Sequence, residues 1–171
     1  MNAFDTVTYT FFFIVLIFLF FKFFLVLLLI AVLLGFFRTW SMKQEPNYKE
    51  FLQGKLPNPK PDGFYHGDTG FNTSWIGKKF DAPGAKGVNI FKNKKGQEVE
   101  KYSFVTSVGK GLFSDAMFVL KIDYNVKGNP FWIRCILDEI VQVHPNEYLG
   151  NMQLRIIPGF PFSILYFQLK K

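Results

Sequence analysis

A chain of 171 residues holds one domain of ordinary size in addition to a long apolar segment, because single domains commonly run about 100 to 150 residues. Its 49% hydrophobic residues exclude a wholly disordered protein, and its single cysteine, Cys135, excludes an intrachain disulfide. The net charge of +7 fits an anionic partner, but no RNA-binding motif and no helix-turn-helix pattern accompanies it, so we expect no nucleic acid.

The first predicted element is a transmembrane helix at residues 11–37, after a short N-terminal tail at residues 1–10. A helix of this length reaches about 40 Å, which is enough to cross a hydrocarbon core of about 30 Å. A cleaved signal peptide is the alternative. The run is longer than the usual ~7 to 15 residues, no Lys or Arg precedes it, and no small-residue cleavage motif follows it. We therefore expect a retained single-pass anchor in the lipid bilayer.

Lys22 is the one charged residue inside this run, where a cation costs about 2.5 to 3.5 kcal/mol at the centre of a bilayer. One interpretation shifts the hydrocarbon core to about residues 18–37, so that the lysine extends to the headgroups. The other pairs Lys22 with a carboxylate or carbonyl on another subunit, as a membrane partner contact. The run contains no His, Met, Cys, Asp or Glu, so it offers no side-chain ligand for a metal or haem cofactor.

A Pro-rich juxtamembrane linker is predicted at residues 38–61. Its basic residues favour a location of residues 38–171 on the cytoplasmic side and an N-terminus outside, and they make anionic lipid headgroups a candidate partner. These residues are Arg38, Lys43, Lys49, Lys55 and Lys60.

Residues 62–171 predict an antiparallel β domain of about six to eight strands. Alternating apolar and polar residues at 118–124 and 131–143 indicate strands with one buried face, and turn residues separate them. In the second of these strands we expect Asp138 to be exposed and Glu139 to form a structural ion pair with Arg134 or Arg155. Such regular spacing predicts a small antiparallel β-barrel tethered to one helix.

Four short motifs carry a resemblance to a known family. They are Asp62-Gly-Phe-Tyr-His-Gly67, Ser74-Trp-Ile-Gly-Lys78, Asp138-Glu-Ile-Val141 leading to Tyr148-Leu-Gly150, and Tyr166-Phe-Gln-Leu169. Together they make residues 62–170 similar to small lipocalin-like (calycin-type) domains, including families with a GxWxG signature, although Thr73 occupies the first glycine position of that signature. The resemblance implies a barrel, and it leaves function open because such families bind diverse apolar molecules.

No catalytic or metal site is predicted. The histidines, His66 and His144, lack neighbours at metal-ligand spacing, and adjacent carboxylates on a strand point to opposite faces. The aromatic residues Trp75, Trp132 and Phe131 are expected to close the core, or to bind a ligand if they line a hollow.

Two functions follow from these features. The leading expectation is a non-enzymatic accessory subunit, which stabilises or assembles a larger membrane complex with its β domain docked at the membrane face. The alternative is a membrane-tethered lipocalin-like binder of a lipid or isoprenoid-like ligand. An enzyme is not expected, because no group of residues meets the geometric requirements of an active site.

Overall fold

A computed structural model describes residues 3–171, with side chains from residue 8 onward. The first two residues of the predicted tail lie outside the described residues. The chain divides into two compact units, residues up to Phe37 and Arg38–Lys171. Helix α1 (Ala3–Met42) makes up the first unit and continues into the second, so the described part of the predicted tail is helical.

The apolar part of α1 is a candidate membrane span. Within Thr8–Met42 an 18-residue window has a mean hydropathy of 3.2, and no residue of that window is buried. It is long and apolar enough to cross a membrane, although a signal sequence near an N-terminus meets the same criterion. Within this helix the Lys22 ammonium lies 4.6 Å from the centroid of the Phe18 ring.

The second unit contains a closed barrel of eight antiparallel strands, in which each strand pairs with the next and the last pairs with the first. The mainly β fold, a small antiparallel barrel with one long apolar N-terminal helix, is therefore confirmed. The strands are β1 (Gly63–Asp68), β2 (Trp75–Asp81), β3 (Lys86–Lys92), β4 (Glu98–Lys110), β5 (Phe118–Asp123), β6 (Ile136–His144), β7 (Glu147–Ile157) and β8 (Phe160–Lys170).

Aromatic and aliphatic side chains fill much of the barrel interior. Large rings pack edge to face, and this arrangement suits their charge distribution. Gly150 makes room for them, because a Cβ there would lie 2.2 Å from the Phe167 ring. The buried residues of this inner cluster are Tyr65, Phe80, Phe104, Leu120, Ile122, Tyr124, Ile140, Tyr148, Phe167 and Leu169.

The predicted linker contains a second helix, α2 (Pro46–Gln53), which covers part of the outer barrel wall. Pro46 occupies the first turn, where its missing N–H leaves no hydrogen bond unmade. Phe51 of this helix is fully buried in an outer cluster, so the linker is part of the domain. The other buried members of that cluster are Met42, Phe113, Val119, Val141, Leu149 and Tyr166.

Strand β6 is buried on both faces, and this corrects the expectation that Asp138 is exposed. Asp138 is 2% exposed and points into the barrel, while Glu139 is buried beneath the outer cover. Glu139 accepts hydrogen bonds from two main-chain amides, at 2.6 and 3.3 Å, and from the Gln153 side chain at 2.8 Å. The expected ion pair of Glu139 is also wrong, because Arg155 instead pairs with Asp123. Single-face alternation fails here because the outer wall is also covered.

The hairpin loops fall at two ends of the barrel. The β1–β2, β3–β4, β5–β6 and β7–β8 loops lie at one end, called the open end below, and the other three loops lie at the closed end. The β5–β6 loop contains a 3₁₀ helix, Ile133–Cys135, so the strand predicted from Phe131 is wrong before Ile136.

The second unit begins beside the first half of β8. Arg38 Nε donates to the Ile164 carbonyl at 2.9 Å, and the Ser163 amide donates to Thr39 Oγ1 at 3.0 Å. Strand β1 pairs with β8 only near Leu169, so these bonds occupy a stretch of β8 edge that β1 leaves uncovered.

Candidate functional site

A β-bulge in β2 directs two residues of the candidate site, Trp75 and Lys78, into the barrel. Trp75 pairs with Phe91 and Gly77 pairs with Ile90, so β2 carries one extra residue at this point. The bulge shifts the alternation, and both Trp75 and Lys78 line the interior. Gly77 has a φ of +148°, and a Cβ at this position would lie 2.0 Å from a main-chain carbonyl oxygen of β1. Only glycine fits there.

Four polar side chains, three from strands and one from the residue that directly follows β5, meet inside the barrel; they are called the polar cluster below. Its members are Lys78, Asn89, Tyr124 and Asp138. Lys78 Nζ lies 2.8 Å from Asp138 Oδ2 and donates to Asn89 Oδ1 at 2.9 Å and to the Tyr124 hydroxyl. The Tyr124 hydroxyl donates to Asp138 Oδ2 at 3.1 Å. Each of the three ammonium protons of Lys78 therefore has an acceptor.

Lys78 lies among aromatic rings and away from water, with a side chain 3% exposed. Its Nζ is 5.0 to 5.5 Å from the ring centroids of Trp75, Phe104, Tyr124 and Phe167, distances at which a ring face attracts a cation. Burial lowers the pKa of Lys78 below its ordinary value, and the attraction of Asp138 offsets part of this effect. Lys78 and Asp138 thus form a buried ion pair that apolar side chains surround.

Two members of the cluster bear on what the site can bind. Asp138 Oδ1 is buried and has no hydrogen-bond partner among residues 8–171. Such an acceptor costs about 1 to 3 kcal/mol when it is left unpaired. Burial and the nearby Asp138 carboxylate raise the pKa of Tyr124 well above its ordinary value, so its hydroxyl stays protonated. The site thus offers one unpaired hydrogen-bond acceptor, Asp138 Oδ1, and the Tyr124 hydroxyl is not ionised.

A cavity of about 310 Å³ lies next to the polar cluster. Its walls are mostly apolar, and the cluster supplies their polar part. Ligand pockets commonly measure about 300 to 1,000 Å³ and combine apolar walls with a few placed polar groups. The apolar lining includes Phe71, Trp75, Phe91, Tyr102, Ile133, Ile136, Met152, Leu165 and Phe167.

Tyr102 shapes the cavity through an unusual backbone conformation. Its φ is +59°, and it is the extra residue of a bulge between β3 and β4. In this conformation its carbonyl accepts a hydrogen bond from Asn89 Nδ2 at 3.3 Å. The Trp75 indole N–H donates to Asn89 Oδ1 at 3.0 Å, so Asn89 joins the wall of the cavity to the polar cluster.

The structure separates the residues that the sequence proposed for ligand binding. Trp75 lines the cavity. Phe131 and Trp132 are not among the lining residues; they form an edge-to-face ring pair in the β5–β6 loop and are 76% and 59% exposed. The histidines are exposed, and the His66 ring packs on Phe64. Among residues 8–171 no group of three or more His, Cys, Asp or Glu side chains is placed to hold a metal ion.

Sequence reasoning missed Lys78, Asn89 and Tyr124 as site residues. A signal existed for two of them. Lys78 closes the Ser74–Lys78 motif, and Tyr124, which directly follows β5, continues the alternation of the inward-facing Leu120 and Ile122. Asn89 carried no such signal, because a lone polar residue in β3 gives no indication that it faces the interior beside the bulge at Tyr102.

Comparison with known proteins assigns no family to the chain. No family model matches the chain, and no curated protein matches it. A solved structure with some similarity is a crystal structure of a protein from Thermomonospora curvata, at 17% sequence identity and a TM-score of 0.48. The match covers 69% of this chain and 79% of that one.

Proposed function

We propose that this protein is a membrane-tethered, lipocalin-like binder of one lipid or isoprenoid-like molecule. In this proposal α1 is retained as a single-pass anchor, with the N-terminus outside and the barrel on the cytoplasmic side, as the basic residues after the span favour. The cavity of about 310 Å³ inside the barrel is the observation that supports binding. A small barrel can be filled by its own side chains, and this one is filled on only part of its length.

The chemistry of the cavity defines what the ligand must offer. Its apolar part would lie against Met152, Leu165 and Phe167, which line the cavity together with the aromatic rings of β2–β4. A hydroxyl or N–H group on the ligand would donate to Asp138 Oδ1, the acceptor that the protein leaves unpaired. We therefore propose an apolar ligand with one hydrogen-bond donor at its end.

The experiment compares small molecules extracted from two variants of the full-length protein. Met152→Trp places a large ring in the cavity, whereas Val105→Trp adds the same ring at an exposed position of β4. The protein is purified from membranes in a mild detergent, extracted with organic solvent and analysed by mass spectrometry. We expect a stoichiometric apolar compound in the wild type and in Val105→Trp, and its loss in Met152→Trp with an unchanged circular dichroism spectrum. A wild type without any such compound would refute the proposal.

A second candidate is the accessory subunit of a larger membrane complex. Lys22 favours it, because this cation lies in the apolar helix and forms no ion pair with any side chain of residues 8–171. A carboxylate or carbonyl on a neighbouring helix would stabilise it there. Native mass spectrometry of the particle released from membranes tests this candidate, which requires stoichiometric protein partners.

A further inference from the structure

The open-end loops of the barrel carry exposed aromatic side chains, whereas the closed-end loops carry none. Phe71 in the β1–β2 loop is 59% exposed, and the Phe131–Trp132 pair stands in the β5–β6 loop. In the closed-end loops the large exposed apolar residue is Leu112, and Phe118, the first residue of β5, is an exposed ring at the same end. Tryptophan and phenylalanine at this exposure are typical of surfaces that insert at the headgroup level of a bilayer.

The charge of the hairpin loops differs between the two ends in the same sense. The open-end loops, residues 69–74, 93–97, 124–135 and 158–159, contain four basic residues and no acidic one. The closed-end loops, residues 82–85, 111–117 and 145–146, contain one acidic residue and no basic one. The basic residues are Lys94, Lys95, Lys127 and Arg134. Basic side chains around exposed aromatic rings fit a surface of anionic lipid.

The barrel unit also begins on the first half of β8, which is the half nearer the open end. Arg38, the first residue of the barrel unit, bonds to Ile164, a few residues after the open-end turn at Pro158–Gly159. The residues covalently preceding Arg38 are the apolar run of the proposed anchor. Whatever the direction of that helix, the peptide chain cannot carry the start of the barrel unit far from the membrane surface.

From these three observations we infer that the open end of the barrel docks on the surface of an anionic bilayer. The rings of Phe71, Phe131 and Trp132 lie at headgroup depth, and the lysines of the β3–β4 loop contact anionic headgroups. Phe71 and Ile133 also border the cavity, so docking turns the cavity mouth toward lipid. The docking itself does not depend on whether the cavity holds a ligand, and its test therefore stands apart from that of the proposed function.

Tryptophan fluorescence in reconstituted full-length protein tests the docking. The chain has three tryptophans, so Trp40→Phe with Trp75→Phe leaves Trp132 as the reporter of the open end. The closed-end reporter adds Trp132→Phe and Phe118→Trp, and thus moves the single tryptophan to an exposed position at the closed end of β5. Both are reconstituted in vesicles of phosphatidylcholine and phosphatidylserine that carry bromine at known acyl-chain depths.

We expect bromines near the headgroups to quench Trp132 strongly and the closed-end reporter little. Equal quenching of the two reporters, or no quenching of Trp132, would overturn the inference. Lys94→Glu should reduce the quenching of Trp132, whereas Lys110→Glu, at the closed end, should leave it unchanged. Equal effects of the two charge reversals would contradict the role of anionic lipid.

A second measurement avoids any change at Trp75. Because Cys135 is the only cysteine, Cys135→Ser with Phe131→Cys gives one site for a nitroxide label. Collisions of the label with oxygen, which dissolves in lipid, should exceed those with a water-soluble nickel chelate. The reverse order would also overturn the inference.

Discussion

Replacing Asp138 by Asn should destabilise the barrel strongly, because it leaves the Lys78 ammonium buried without its counter-charge. The two side chains are each 3% exposed and 2.8 Å apart. Breaking a pair at this depth by removing one partner costs about 3 to 5 kcal/mol. Unfolding entropy of about 2.1 cal/mol/K per residue makes 1 kcal/mol equal to roughly 4 °C in a unit of this size. We therefore expect Tm to fall by about 10 to 18 °C.

The matched control is Asp123→Asn, which breaks the ion pair with Arg155. That pair is as close, at 2.5 Å, but its side chains are about 30% exposed. Partly solvated pairs contribute about 1 kcal/mol or less, so Tm should fall by roughly 4 °C or less. The assay is thermal unfolding of the full-length protein in detergent, followed by the circular dichroism of the β-sheet. Equal shifts for the two variants would refute the argument that burial of the Lys78–Asp138 pair sets the effect.

Four further predictions rest on the same structure. Because the pKa of Lys78 is lowered in the folded state, the unfolded state binds more protons between that pKa and about 10.4. The free energy of unfolding should therefore rise with pH in this window. Lys78→Met should flatten this rise, as measured by urea titrations at several pH values. The raised pKa of Tyr124 acts oppositely above pH ~10, where the unfolded state loses a proton that the folded state keeps, and stability should fall. Gly77→Ala should prevent folding or lower the free energy of unfolding by about 3 kcal/mol or more, because its Cβ would lie 2.0 Å from a carbonyl oxygen. The control is Gly96→Ala, which is also at positive φ but has nothing within 4 Å of the added Cβ. It should lower the free energy of unfolding by about 1 kcal/mol in the same thermal melts. Lys22→Leu should leave the membrane yield unchanged and abolish co-purification of partner proteins if the accessory-subunit candidate is correct, and intact assembly would exclude the proposed intramembrane pairing.

Much of the barrel was predictable because period-two alternation and turn residues are local signals. Leu120 and Ile122 alternate with Val119 and Lys121 in the sequence. In the structure Leu120 and Ile122 both face the barrel interior. The same reasoning was wrong at Asp138, because α2 and the chain around it cover the outside of β6. A strand covered on both sides has no exposed face for the pattern to reveal.

The candidate site was only partly predictable, since its geometry depends on irregularities. Trp75 was identified from a short motif, and the structure places it at the cavity. Phe131 and Trp132 look like core residues in the sequence, but Pro130 and the 3₁₀ turn after it keep them in a loop. The bulge that directs Lys78 inward arises from the register in which β2 pairs with β3, which local composition does not report.

By itself the sequence determined the apolar N-terminal helix and a β-rich remainder, since length, hydropathy and alternation act over a few neighbouring residues. Tertiary structure decided that eight strands close into a barrel and that a lysine and an aspartate far apart in the chain meet inside it. It also decided that a cavity remains beside them. The physical reason is that closure of the barrel fixes the register of all strands together, and the register determines which polar side chains are buried next to one another.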